Sequence, residues 1–260
     1  MAGTAIVAIH VEEGFVVAAD GRKKQGNRLV SDSEQKVHSI VGAGKNLGYA
    51  SAGIATQYAD EASTQVVYDF GETIAESVKA LAATSPLNFS SYVHKLARNI
   101  NKGLLHFCQN NPQVSFPDEH VEGIAAQTVV VGYYENVPGM ARILFRHRDH
   151  KICKNPRVCA YKPERTRYQI AMPKIVGEIL RDASDSRLTR YYKPSLSKLF
   201  GGDPLSLAEA QEAALTCIEA CSDPVAAEID PCCHTVGGHV HMATITRSAG
   251  FQWIKPPLAP

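Results

Sequence analysis

The stretch that decides the fold is GTAIVAIHVEEGFVVAADGR, residues 3–22. It holds two short apolar segments rich in β-branched residues, 4–11 and 14–20, on either side of a Glu-Glu-Gly turn. Segments of this composition around a short turn predict a β-hairpin. Residues 36–41 and 47–52 flank a glycine-containing turn at 42–46 and predict a second hairpin.

Four helices are predicted from apolar residues at helical spacing. They cover residues 54–83, a segment from a cap at Asn88 or Ser90 to residue 110, 173–183 and 205–221. The last helix begins with Ser206 and Glu209, the spacing of a capping box. Pro173 at the start of the third helix fits the preference of proline for the first turn.

Further strands are predicted at 125–134 and 141–147, joined by a Pro138-Gly139 turn, and at 152–161, 238–245 and 251–254. Residues 184–204 are interpreted as an irregular segment. The alternation of hairpins and helices favours layers, with helices outside and sheets inside. Because no linker or repeat interrupts the chain, we predict one domain over residues 1–260, with a flexible tail at 255–260.

The bulk properties exclude several classes of protein. A net charge of +1 gives no electrostatic basis for binding nucleic acid or an anionic membrane. The longest apolar runs, such as 14–19 and 128–132, are too short to span a bilayer. Seven cysteines, an odd number, indicate free thiols in a reducing compartment. We therefore expect a cytoplasmic protein.

Short motifs near the N-terminus carry a family resemblance. They are Gly3-Thr4, Ala18-Ala19-Asp20-Gly21-Arg22, Lys36-Val37-His38 and Ala52-Gly53. This set resembles the proteasome β-subunit family of N-terminal-nucleophile hydrolases and its bacterial relatives. The spacings from Thr4 to Asp20, Arg22 and Lys36 match without a gap, whereas Ala52-Gly53 needs a short insertion in the preceding turn. The resemblance is specific over residues 3–60, topological to about 150 and weak beyond.

The resemblance implies an α+β fold, a four-layer αββα sandwich, and a threonine-type peptidase. Residues 1–3 would be a short propeptide, removed by self-cleavage to expose the α-amine of Thr4. That amine would act as base for the Thr4 hydroxyl. Lys36 would lower the pKa of the hydroxyl and the amine, Asp20 would hold Lys36, and Arg22 would brace the turn. The backbone N–H of Gly53 would stabilise the oxyanion.

The resemblance also implies a substrate pocket and an assembly. The pocket would be lined by Lys23, Glu34, Ser51 and Ala55. Subunits would assemble through their helices into a homo-oligomeric ring around a chamber, acting on peptides or unfolded proteins. No cofactor is implied, and an unfoldase partner is not identified by the sequence.

The C-terminal part departs from the family pattern. Active members carry Asp-x-x-Ser-Gly-Gly before a late strand, and the Asp and Ser orient the terminal amine. Here Cys233 stands at the aspartate position and Val236 at the serine position. Asp230 and Thr235 are the candidate replacements. A Gly-Ser-Gly element usual in the family is also not visible.

Several alternatives stay open at the level of the sequence. Thr4, Asp20 and Lys36 are each common in ordinary strands and turns, so only their joint spacing favours a catalytic site. Five possible metal ligands lie close together, at Cys232, Cys233, His234, His239 and His241. Adjacent cysteines are not a usual zinc spacing, so we predict no metal, and a cysteine nucleophile is less favoured still. The rival functions are a catalytically inactive structural subunit and an amidase acting on a small molecule.

Overall fold

The structure is a computed structural model that describes residues 4–25, 28–42, 44–53, 56–58, 66–82, 86–111, 123–149, 151–163 and 167–258. Its strands are β1 (Ile6–Val11), β2 (Gly14–Ala19), β3 (Lys23–Gln25), β4 (Arg28–Ser31), β5 (Val37–Gly42), β6 (Lys45–Gly53), β7 (Thr56–Tyr58), β8 (Val66–Asp69), β9 (Gly123–Tyr134), β10 (Val137–Arg148), β11 (Lys151–Ile152), β12 (Arg157–Tyr161), β13 (Arg167–Ala171), β14 (His241–Thr246) and β15 (Gly250–Lys255).

Its helices are α1 (Phe70–Ala82), α2 (Phe89–Asn110), α3 (Lys174–Asp182), α4 (Pro194–Gly201), α5 (Leu207–Ser222) and α6 (Pro224–Ile229), with 3₁₀ turns at Ser186–Tyr191 and Pro231–Thr235. The mixed helix and sheet content confirms the predicted α+β class. None of the helices in the described part of the chain is long and apolar enough to cross a membrane.

The strands form two large antiparallel sheets. The five-stranded sheet has the order β13-β1-β2-β14-β15, and the other has the order β11-β10-β9-β6-β5 with β12 also paired to β10. Both predicted N-terminal hairpins are present, β1 with β2 and β5 with β6. Every residue of β1 and β2 is buried, which is why this stretch is a continuous apolar run rather than an alternating one.

Three clusters of buried apolar side chains hold the layers together. One joins α1 and α2 to the six-stranded sheet, with Phe70, Leu96 and Phe145 among its members. A second joins the helices of the C-terminal half to the outer face of β1 and β2. A third contains side chains of both sheets, including Ile6 and Val129. Since burying apolar surface is the main favourable term in folding, these clusters fix where the sheets meet.

Two helix starts follow from the predicted caps. Asn88 caps α2, and its side chain accepts a hydrogen bond of 2.9 Å from the backbone N–H of Ser91. Ser206 and Glu209 form the predicted capping box at the start of α5. Such caps satisfy backbone N–H groups that have no partner inside the helix.

The structure differs from the secondary-structure predictions at several places. The helix predicted over 54–83 is confirmed only for α1, since β7 and β8 form before it; the β-branched pair Val66-Val67 favours a strand. The turn between β9 and β10 is Glu135-Asn136, both with positive φ, and not Pro138-Gly139. The segment 184–204 contains α4 and a 3₁₀ turn. Strand β13 was not predicted at all.

Candidate active site

Thr4 lies directly before β1, and its side chain is partly exposed. Ile6 and Ala8 point into the space between the two sheets. Because side chains alternate along a strand, Thr4 lies on the same side, at the end of that space. The ammonium of Lys36 donates a hydrogen bond of 3.4 Å to the Thr4 hydroxyl oxygen. The structure therefore brings together the two residues on which the predicted chemistry depends.

Asp20 organises the surroundings of Thr4. Its carboxylate is fully buried and accepts four hydrogen bonds. The donors are the Lys36 ammonium at 3.1 Å and the backbone N–H groups of Ala5 at 2.9 Å, Arg22 at 3.2 Å and Gly237 at 3.2 Å. Since Ala5 follows Thr4, Asp20 fixes both the lysine and the backbone beside the candidate nucleophile.

Burial shifts the pKa values of this ion pair in opposite directions. Loss of hydration raises the pKa of Asp20, against the nearby charge of Lys36 and the hydrogen bonds that the carboxylate accepts. Loss of hydration lowers the pKa of Lys36, against the charge of Asp20. A carbonyl oxygen of Arg22 also accepts from the Lys36 ammonium, at 2.7 Å. Lys36 is thus a tightly held cation beside the hydroxyl of Thr4.

Arg22 connects the turn after β2 to two distant segments. Its Nε donates to Asp32 at 2.7 Å, and its Nη1 donates to the carbonyl oxygen of Val236 at 3.2 Å. Gly237 leaves room for this guanidinium, because a Cβ there would lie 2.7 Å from its Cζ. Arg22 thus connects the turn after β2 to Asp32 and to the segment before β14.

Gly53 is the last residue of β6. Its φ of +112° is a conformation that side chains other than glycine rarely adopt. A Cβ at this position would lie 2.4 Å from the carbonyl oxygen of Ala125. Glycine is therefore required here by the packing of β6 against β9, in addition to the predicted role of its N–H.

The predicted pocket residues are only partly brought together. Lys23 forms an ion pair of 3.0 Å with Glu34 and lies 3.8 Å from Asp69, which sequence reasoning missed. The backbone N–H of Ser51 donates to the carbonyl oxygen of Lys36 at 3.3 Å. Ala55 lies outside the described residues, as do the predicted propeptide residues 1–3 and the last two residues of the predicted tail. Lys255, the first residue of that tail, belongs to β15.

The candidate replacements for the missing Asp and Ser are engaged locally. The carboxylate of Asp230 accepts from the backbone N–H groups of Cys232 at 3.0 Å and Ile175 at 3.1 Å. The hydroxyl of Thr235 donates to the carbonyl oxygen of Cys232 at 2.9 Å. Val236 contributes its carbonyl oxygen to Arg22 while its side chain is buried. This loop supports the site through its backbone.

Neither the metal nor the cysteine hypothesis gains support from the geometry. Across the described ranges, no three His, Cys, Asp or Glu side chains are placed to hold a metal ion. Burial and the neighbouring Asp230 raise the pKa of the Cys232 thiol, whereas a cysteine nucleophile needs a lowered one.

His241 is a further polar residue near the site. It is fully buried on β14, and neither ring nitrogen has a hydrogen-bond partner in the described part of the chain. Its ring lies edge-on to that of His239, 5.1 Å between centroids. Burial, His239 and Lys36 lower the pKa of His241 to about 4. The sequence pointed to this residue only as a possible metal ligand.

Comparisons with known proteins support a proteasome-like fold. A family model described as Proteasome subunit matches residues 1–116. An Anbu Gly-1 mutant from Hyphomicrobium sp. strain MC1 shares 13% identity and a TM-score of 0.53, covering 97% of this chain and 88% of that one. A helical assembly of the Anbu complex from Pseudomonas aeruginosa shares 12% identity and a TM-score of 0.58, covering 98% and 86%. No curated protein matches the chain. The family match and the shared fold together confirm the resemblance to proteasome subunits and their bacterial relatives.

Proposed function

We propose that this protein is a threonine-type peptidase whose nucleophile is Thr4 after removal of residues 1–3. The observation that carries the proposal is the position of the Lys36 ammonium, which donates both to the Thr4 hydroxyl oxygen and to the buried carboxylate of Asp20. A structural strand threonine needs no buried, paired lysine beside it, and burying such a pair is costly.

In the proposed mechanism the free α-amine of Thr4 accepts the proton of its own hydroxyl. The hydroxyl oxygen attacks the peptide carbonyl carbon, while the charge of Lys36 favours the developing alkoxide. The N–H of Gly53 stabilises the oxyanion of the tetrahedral intermediate. The amine then passes the proton to the leaving amine of the substrate, and water hydrolyses the ester on Thr4.

The arrangement of the three core clusters supports a four-layer αββα sandwich as part of this proposal. The outer faces of α1 and α2 and of the C-terminal helices would then be available for contacts between subunits. An Anbu complex similar in fold forms a helical assembly. We propose that this chain likewise forms a homo-oligomer, ring-shaped and cytoplasmic, that degrades peptides or unfolded proteins inside a chamber.

The test combines the intact mass of the purified protein with cleavage of fluorogenic peptides. We expect loss of residues 1–3 and hydrolysis in the wild type, neither of them in Thr4→Ala, and both at a reduced level in Thr4→Ser. The serine variant is the matched control because it retains a hydroxyl. Hydrolysis undiminished in Thr4→Ala would disprove the assignment of the nucleophile.

A second candidate is a catalytically inactive structural subunit. It is favoured by the apolar Val236 at the position of the family serine and by the hydrogen bonds that tie Asp230 to the backbone N–H groups of Cys232 and Ile175. The two functions differ in the mass measurement. If the assembled protein retains Ala2 and Gly3, Thr4 has no free amine and the structural function is the better account.

A further inference from the structure

Arg142 is a cation that no acidic side chain of the described residues neutralises. It lies on β10 and is partly buried. Its Nε and Nη2 donate hydrogen bonds of 3.1 and 2.7 Å to the side-chain oxygen of Gln127 on β9. Within the described ranges it forms no ion pair with an acidic side chain. By contrast, Arg22 and Arg187 are each paired with an aspartate.

The contact with Gln127 orients the guanidinium without cancelling its charge. An arginine has five N–H donors in a planar fork. Gln127 uses two of them on one edge, so the edge that carries Nη1 keeps its donors for another acceptor. Burial lowers the pKa of Arg142, against the smaller opposing effects of Cys159 and Tyr161, as expected for a cation moved out of water. A fixed fork of this kind matches the geometry of a carboxylate.

Arg142 faces the same space as Thr4. Val129 and Met140 belong to the cluster between the sheets. Because side chains alternate along a strand, Gln127 and Arg142, two residues away from them, point to that side as well. No bulge separates these residues from their neighbours in the register of β9 and β10.

Arg142 is also level with the residue next to Lys36 when the pairing is followed across the strands of the sheet. Val37, the neighbour of Lys36, pairs with Ala50, Ala50 pairs with Val129, and Val129 pairs with Arg142. Gln127 pairs with Ala52, the residue before Gly53. Strands lie about 4.8 Å apart, so β10 is roughly 14 Å from β5, at whose start Lys36 lies. An extended peptide covers this distance in about four residues.

We propose that Arg142, oriented by Gln127, is a subsite for a carboxylate of the peptide substrate, about four residues from the bond that is cleaved. The carboxylate is an acidic side chain or the C-terminal carboxylate of the substrate. This proposal deepens the proposed peptidase function and adds a specificity residue to it. It explains why a partly buried arginine is held by a neutral amide and not by an acid of the same chain.

The experiment measures peptide binding to the full-length Thr4→Ala protein, so that turnover plays no part. The probes are fluorescein-labelled neutral decapeptides in which one glutamate is moved through the positions, against the same peptides with glutamine. A second arm compares a free C-terminal carboxylate with a C-terminal amide. Fluorescence anisotropy gives the dissociation constants.

We expect the peptide with glutamate at one particular position, or the peptide with a free C-terminal carboxylate, to bind about tenfold tighter than the matching glutamine or amide peptide. This is the size of one charge-assisted contact. Either of two substitutions, added singly to the Thr4→Ala protein, should remove this preference. Arg142→Gln deletes the charge, and Gln127→Glu places an internal carboxylate beside it without a change of shape. Arg157→Gln, an exposed arginine on the adjacent strand β12, should keep the preference.

A preference that survives both Arg142→Gln and Gln127→Glu would overturn the subsite, and so would equal binding of acidic and neutral peptides by the Thr4→Ala parent. The two substitutions guard against misfolding, since Gln127→Glu retains the arginine and its hydrogen bonds. Binding selective for acids without Thr4-dependent hydrolysis would disprove the peptidase and keep the subsite. Thr4-dependent hydrolysis without selective binding of acidic peptides would support the peptidase and disprove the subsite.

Discussion

Two of the ion pairs in the segment between residues 20 and 36, Lys36–Asp20 and Arg22–Asp32, differ in their exposure to solvent. Lys36 and Asp20 are 3.1 Å apart, with 8% and 0% of their side chains exposed. Arg22 and Asp32 are closer, at 2.7 Å, with 29% and 45% exposed. Water screens the charges of the shorter pair and competes for its hydrogen bond. Burial, and not distance, therefore decides which pair controls the site.

The surroundings of the two pairs differ in the same way. The carboxylate of Asp20 accepts hydrogen bonds from three backbone N–H groups in addition to the one from Lys36. Removing the lysine therefore leaves a buried negative charge that is held only by these backbone N–H groups. The carboxylate of Asp32 accepts only the Arg22 Nε among the hydrogen bonds of the described residues. The buried pair is a network whose members depend on one another, whereas the exposed pair is a single contact.

The largest effect is expected from breaking the buried pair. Asp20→Asn leaves the ammonium of Lys36 buried without a counter-charge, and should lower the free energy of unfolding by about 3–5 kcal/mol. Lys36→Met should cost a similar amount. The double variant Asp20→Asn/Lys36→Met should cost less than the sum of the two, because no unpaired charge remains. Urea denaturation of the four proteins gives these values.

Additive costs in this cycle would show that the two residues stabilise the fold independently. The comparison between the buried network and the exposed contact would then fail. Because Lys36 and Asp20 surround Thr4, both single variants should also lose peptide hydrolysis. The stability cycle remains informative whether or not the wild type hydrolyses peptides.

His241 provides the next effect, because it is buried and its ring nitrogens have no hydrogen-bond partner among the described residues. Its pKa of about 4 lies below the ordinary value of 6.5, so the unfolded chain binds the additional proton between these values. Stability should be fully present above about pH 6.5 and decrease by about 3 kcal/mol as the pH falls to about 4. His241→Phe should remove this part of the dependence, measured by thermal or urea unfolding at each pH.

Other groups near His241 define the control for this prediction. The charged or titratable groups that act on it are His239, Lys36 and His38. Burial lowers the pKa of His38 too, so it contributes to the same acid-side loss. His38→Gln should therefore leave the larger part of the slope in place. An unchanged slope in His241→Phe would contradict the prediction.

How much of this could be predicted from the sequence depends on how far apart the interacting residues lie. Thr4, Asp20, Arg22 and Lys36 lie close together in the sequence, and the family resemblance implied that they form one cluster, although their catalytic roles remain a prediction. The contact of Gly237 with Asp20 spans 217 residues, and no local pattern encodes it. The same holds for Arg142 and Gln127, because their proximity depends on the register of β9 and β10.

The errors in secondary structure have a similar origin. Val66 and Val67 continue the helical spacing of the apolar residues in α1, so periodicity alone extended the predicted helix too far. The deciding factor was pairing with Thr56–Tyr58 in β7. Strand β13 is built around polar residues, and it forms because it pairs with the buried strand β1. Tertiary contacts override local preference at both places.

The smallest effect is expected for the exposed pair, and it provides the sharpest contrast. Asp32→Asn removes the charge but keeps the backbone carbonyl that accepts from the N–H of His239 at 2.6 Å. We expect a cost of about 0.2–1 kcal/mol at low salt that vanishes near 1 M salt, where the Debye length is about 3 Å. The cost of Asp20→Asn should persist at the same salt concentration, because buried charges are screened little. The contrary outcome is an equal cost in free energy of unfolding for both substitutions and an equal loss of that cost at high salt. Burial would then not be what distinguishes the two pairs. Lys36 would be an ordinary surface lysine without the fixed position beside Thr4 that the proposed peptidase needs.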